Sequence, residues 1–161
     1  MGKTNALRLL DQAGIGYREA FYEYDKSDLS GLHAATAIGL PPEQVFKTLV
    51  ARGDRGAILV FCITVCSTLS LKKAARAAGQ KKVELVQVKE LLGLTGYIRG
   101  GCSPVGMKKK YPTYMDETAI LYEEIAVSAG ERGHQVILHP EALGRFVSAE
   151  LLDLTEISFI F

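Results

Sequence analysis

The sequence predicts an α+β fold: a mixed, curled, barrel-like β-sheet with short flanking helices. Three observations lead there. The 161 residues are 48% apolar and 23% charged, close to soluble globular averages and enough for one buried core. Strand-like and helix-like stretches interleave without the regular alternation of a doubly wound sheet. One stretch, residues 57–65, is apolar enough to be covered on both faces of a sheet. No internal repeat or low-complexity segment interrupts the chain, so residues 1–161 read as one domain.

The elements follow from local patterns. Thr4 caps a helix with an apolar stripe of Ala6, Leu7, Leu9, Leu10 and Ala13, and Gly14 is its left-handed stop. Residues 17–24 alternate as an aromatic-rich strand, and 26–30 form a polar loop. A short helix over 31–38 ends at Gly39, and Pro41-Pro42-Glu43-Gln44 opens another. Residues 48–51 and 57–65 pair as a hairpin at the sheet centre. Ser70 caps a helix over 71–78, 82–86 alternate as a strand, and 89–92 form a brief helix. The glycine-punctuated stretch 93–106 is irregular. Residues 114–115, 124–128 and 135–138 are strands, 140–146 a helix, and the apolar tail 157–161 adds a strand or packs on a partner.

Charge is polarised along the chain although the net value is +1. Residues 72–110 carry ten Lys or Arg against two acids, a net +8; residues 1–71 balance at seven each; residues 111–161 carry two positives and nine negatives, a net −7. A basic middle attracts polyanions through counterion release; equally, its lysines can be solvated faces beside the acidic C-terminal third. The longest apolar run, residues 57–63, is far short of the roughly 20 needed to span a bilayer. The start of the chain lacks the continuous apolar core of a secretory signal. The expectation is a cytoplasmic protein without a membrane partner; nothing in the sequence sets an oligomeric state.

Three cysteines, Cys62, Cys66 and Cys102, are too few for a disulfide framework. Cys62 and Cys66 are spaced to share one strand face and read as buried small hydrophobes. His33, His134 and His139 have no metal-ligand spacing, so neither a metal nor another cofactor is expected. There is no G-x-S-x-G elbow, P-loop or Rossmann fingerprint. Two features remain. Lys47 begins an apolar strand at a sheet edge, where its ammonium can meet a phosphate or a polar substrate group, though an ordinary surface lysine is equally simple. The loop Gly100-Gly101-Cys102-Ser103-Pro104 permits close approach to its backbone, whose N–H groups can form an anion nest; a plain turn is the alternative.

Taken together, these blocks carry a resemblance. Phe21-Tyr22-Glu23-Tyr24-Asp25, Gly39-Leu40-Pro41-Pro42-Glu43-Gln44-Val45-Phe46-Lys47-Thr48-Leu49, Leu71-Lys72-Lys73-Ala74-Ala75, Lys81-Lys82-Val83-Glu84, Thr95-Gly96-Tyr97 through Gly106, and Val127-Ser128-Ala129-Gly130-Glu131-Arg132-Gly133 resemble the YbaK/EbsC family of trans-acting aminoacyl-tRNA deacylases, which are similar to the editing insertion domain of prolyl-tRNA synthetases. The resemblance implies removal of cysteine mischarged onto proline tRNA, and action on cysteine tRNA, with the substrate's own thiol as nucleophile. Such a second sieve answers the limit of about 1–3 kcal/mol that size exclusion gives between similar amino acids.

By the same resemblance Lys47 and Gly101 are the catalytic positions. Lys47 positions the terminal ribose or its phosphate, while Gly100, Gly101, Cys102, Ser103 and Pro104 hold the aminoacyl carbonyl. Tyr22, Thr48, Ser128 and Gly130 complete the substrate site. Lys72, Lys73, Lys108, Lys109 and Lys110 are candidates for the acceptor stem. Aminoacyl-tRNA is the implied partner, with prolyl-tRNA synthetase as an associate. Cys102 stands where relatives often have an aliphatic residue and Gln135 where some have an acid, which bears on amino-acid preference. The alternatives are a deacylase for another small amino acid such as alanine, and a noncatalytic tRNA- or nucleotide-binding module.

Overall fold

The computed structural model describes residues 3–156. Its first helix, α1 (Asn5–Gln12), forms where expected: the Thr4 hydroxyl accepts from the Leu7 N–H, and Ala6, Leu7 and Leu10 are buried. The strand β1 (Arg18–Phe21) is shorter than the alternation suggested. Helix α2 (Gly31–Ile38) has the expected bounds, capped by Ser30 and closed by Gly39 in the left-handed conformation. The double proline opens only a 3-10 turn, Pro42–Gln44, before β2 (Phe46–Gly53), which forms a hairpin with β3 (Ile58–Thr64).

A two-residue strand β4 (Thr68–Leu69) precedes α3 (Leu71–Ala77), capped by Ser70; β5 (Val83–Leu85) follows. Helix α4 (Val88–Thr95) is twice the length expected: a capping box of Gln87 and Glu90 starts it one residue earlier, and it runs three residues further, to a left-handed stop at Gly96. Next come β6 (Thr113–Asp116), a 3-10 turn Glu117–Leu121, β7 (Ile125–Glu131) and β8 (His134–Leu138). Helix α5 (Pro140–Phe146) has the expected bounds. Two short strands, β9 (Glu150–Leu152) and β10 (Thr155–Glu156), had no pattern in the sequence. The expectation for residues 157–161 lies outside the described residues.

The fold is mixed α+β. One sheet has the order β5-β2-β3-β6-β9, with β3 at its centre and parallel pairing at β3–β6 and β6–β9. A second, antiparallel sheet has the order β1-β8-β7, and β10 pairs with β4. Among the described residues no closed barrel forms. The two larger sheets meet at a parallel bridge between Val45 and Ala126, where the Val65 N–H also donates to the Val45 carbonyl at 2.9 Å.

Strand alternation divides the side chains into two faces. On one, Phe46, Cys62, Met115, Val127 and Val136 pack with Ala6, Leu7 and Leu10 of α1. On the other, two helices sit side by side. Ala35 of α2 packs with Val45, Val65, Ala126 and Ile137, and Ala74 and Ala75 of α3 pack with Ala51, Phe61 and Ile63.

Candidate active site

Lys47 lies between these two helical footprints. It shares a strand face with Val45, under α2, and with Leu49, which packs toward α3. The Val45–Ala126 bridge, carried two residues further along both parallel chains, brings Lys47 and Ser128 to the same side. Ser128 in turn pairs with Gln135, and Gln135 with Ala20. A row of Lys47, Ser128 and Gln135 therefore crosses β2, β7 and β8 on one face. Tyr22, two residues beyond Ala20, meets His33 of α2 edge-on, with ring centroids 6.2 Å apart.

The electrostatics of this face are unusual for a sheet. Burial lowers the Lys47 pKa below its ordinary 10.5, opposed in part by the neighbouring Cys66 thiol, and no carboxylate pairs with Lys47 among the described residues. Ser128 accepts the Gly130 N–H at 3.1 Å. Gln135 is buried, and its Oε1 has no hydrogen-bond partner among the described residues; the same holds for His33 Nε2. Unsatisfied buried acceptors are rare and costly. The resemblance had drawn attention to Gln135; His33 was missed, since a lone histidine on a short helix carries no signal until its neighbour is known.

The glycine loop meets the rim of the same face. Gly100, at φ 86°, packs under Leu29 just before α2. Gly101 lies flat on the turn after β7: a Cβ there would come within 2.9–3.0 Å of the backbone of Glu131 and Arg132. Its own N–H is committed, donating to the Ile98 carbonyl at 2.9 Å. The N–H groups of Gly100, Cys102 and Ser103 donate to no acceptor among the described residues. Gly130, at φ 107°, lets Tyr97 approach the strand end closely.

Other expected site residues fall elsewhere. Thr48 faces away from Lys47, its hydroxyl 3.8 Å from the Cys62 sulfur. Cys102 packs with Val50 and Tyr97 on that opposite face, and Ser103 and Pro104 are buried beside it, with the Ser103 hydroxyl accepting the Val105 N–H. Burial pushes the Cys62 and Cys102 thiols up to about 12, which removes them as nucleophiles at neutral pH. Cys66 does not share the Cys62 strand face: β3 ends at Thr64, and Cys66 sits exposed in the following turn.

The basic stretch is split as well. Lys72 and Lys73 are on α3, on the Lys47 face, and Lys73 is tied to Asp153 at 2.8 Å and to the Thr155 carbonyl at 2.7 Å. The segment bearing Lys108, Lys109 and Lys110 packs on the opposite face through Val105 and Met107. There Lys109 and Lys110 line a cavity of about 180 Å³ with Tyr111 and Phe146, and a larger one of about 400 Å³ lies by Arg52, Lys82 and Glu90. Neither contains Lys47. No group of three or more His, Cys, Asp or Glu suited to a metal occurs among the described residues, and no helix among them is long and apolar enough to cross a membrane.

A sequence profile of the aminoacyl-tRNA editing domain matches residues 32–146. The chain belongs to the aminoacyl-tRNA editing domain family. This editing domain is 43% identical, over 95% of its length and 93% of the relative's, to an Enterococcus faecalis protein named "Putative Cys-tRNA(Pro)/Cys-tRNA(Cys) deacylase EbsC". The YbaK/EbsC resemblance in the sequence is thus borne out. It is also 24% identical to an uncharacterized Bacillus subtilis protein, YwhH, over 77% of its length. Among solved structures it matches, at a TM-score of 0.82 and 27% identity over 97% of this chain and all of the other, one described as a "putative trans-editing enzyme for prolyl tRNA synthetase".

Proposed function

We propose that this editing domain is a trans-acting deacylase that removes cysteine from mischarged proline tRNA, and from cysteine tRNA, by drawing the nucleophile from the substrate. The observation that carries the reading is the chemistry of the Lys47 face, in a chain 43% identical to EbsC: a partly desolvated ammonium, a hydroxyl and a free amide oxygen. In this reading the two larger sheets act as one curled, barrel-like sheet, residues 1–161 work as one cytoplasmic domain, and prolyl-tRNA synthetase is the associate that supplies substrate.

Lys47 anchors the terminal ribose or phosphate. The thiol of the bound cysteinyl group attacks its own carbonyl carbon, a carbon–sulfur bond forms, and the negative charge on oxygen is met by backbone amides of the Gly100–Pro104 loop. As the ester carbon–oxygen bond breaks, the ribose oxygen leaves and takes up a proton equivalent to the one the thiol gave. The products are a cyclic thiolactone and tRNA with a free hydroxyl. In this reading Lys72 on the same face, and Lys108, Lys109 and Lys110 on the other, meet different parts of the acceptor stem. The test is incubation of catalytic amounts of protein with Cys-tRNA(Pro) and a panel of other aminoacyl-tRNAs. Loss of the cysteinyl ester well above the spontaneous rate supports the reading; preference for an alanyl ester, or binding without turnover, replaces it.

A further inference from the structure

We propose that His134 is a positioning residue for this reaction: in contact with both Glu19 and Glu131, it fixes the turn between β7 and β8 on which the carbonyl-binding loop rests. The proposal rests on the functional reading above, and the experiment below separates the two. The His134 side chain is 5% exposed. Its Nδ1 lies 2.7 Å from Glu131 Oε2 and its Nε2 lies 2.9 Å from Glu19 Oε1. A neutral imidazole has one N–H, and an ionised carboxylate only accepts. With one ring proton, one of the two contacts sets a lone pair against a carboxylate oxygen. With two, both are charge-assisted hydrogen bonds.

Phe21 stacks on the His134 ring, with centroids 4.1 Å apart and planes inclined by 21°. Glu19 from β1 and Glu131 from β7 are the titratable groups hydrogen-bonded to the ring among the described residues. Arg132, next in the turn, points away and donates to the Arg99 carbonyl at 2.8 Å.

That last bond connects the histidine to the site. The backbone of Glu131 and Arg132 is the surface on which Gly101 lies flat, and the Arg132–Arg99 bond ties the same turn to the start of the loop. When the His134 ring is removed, both glutamate contacts are lost, the turn is held less firmly, and the loop amides shift with Gly101. A misplacement of this kind is expressed in kcat, because those amides act where charge develops.

The experiment uses the full chain. In His134→Gln the amide NMR signals of residues 100–103 are expected to move from their wild-type positions, and kcat falls about tenfold or more while KM stays within about twofold, at a temperature where the variant is folded. Glu19→Gln, which keeps the size of one partner and removes its charge, is expected to move the same signals and to lower kcat by a smaller factor. Loop signals or a kcat unchanged in the folded variants overturn the proposal. A wild-type protein that deacylates nothing overturns the functional reading instead, and the loop signals still decide whether the histidine holds the turn.

Discussion

Replacing Lys47 by methionine removes a charge and keeps an unbranched side chain of similar reach. Burial already holds this ammonium below the ordinary lysine pKa, and no carboxylate among the described residues offsets that burial. The charge therefore costs the fold free energy, so Lys47→Met is expected to melt at the same temperature as wild type or a few degrees higher. The unfolded lysine binds its proton more tightly than the folded one, so the variant's stability advantage shrinks as pH rises through the depressed folded pKa. In the complex the same ammonium makes a charge-assisted contact, worth about 1.5–3 kcal/mol. At 1.4 kcal/mol per decade its loss lowers kcat/KM by about 10- to 150-fold. Single-turnover release of cysteine from Cys-tRNA, with thermal unfolding of the same preparations, reads both quantities. An unchanged kcat/KM refutes the reasoning; so does a fall in melting temperature that accounts for the lost activity, because Lys47 would then be structural.

Four further outcomes are expected. Gly101→Ala sets a methyl group within 2.9–3.0 Å of the Glu131 and Arg132 backbone, so the loop must lift and kcat should fall with KM little changed, which steady-state kinetics checks. A thiol reagent should modify one cysteine in the native protein and none in Cys66→Ser, because Cys62 and Cys102 are buried with thiols raised to about 12; mass spectrometry counts the adducts. Replacing Lys109 and Lys110 by alanine should reduce the slope of log affinity for tRNA against log salt by about 1.4–1.8 if both meet phosphates. Lys73→Ala should leave that slope unchanged and cost about 0.2–1 kcal/mol of stability, because its ammonium is committed to Asp153.

Helices α2 and α5 were legible in the sequence because their caps are local: Ser30 and Gly39 for one, His139 and Pro140 for the other. The β2–β3 hairpin was legible from its apolar run. β4, β9 and β10 were not, since strands of two or three residues owe their existence to the partner and not to their own pattern. Lys47 and the glycine loop stood out as candidates, but it was the family resemblance, and no local pattern, that put them in one site. Their relation depends on the Val45–Ala126 bridge and on the contact of Gly101 with Glu131, each joining residues far apart in the chain. The basic stretch misled in the same way: contiguous in sequence, it divides between the two faces of the sheet, and of its ten cations Lys73 alone pairs with the acidic C-terminal third among the described residues. His134 carried no sequence signal, because its two glutamates arrive from different strands.

The most direct measurement compares cysteinyl and seryl esters on one and the same tRNA, which differ by sulfur against oxygen at the attacking position. If the substrate supplies the nucleophile, the cysteinyl ester is cleaved rapidly and the seryl ester survives at close to its spontaneous rate. Equal cleavage of the two would mean that the nucleophile comes from water or from the protein, and would contradict the account.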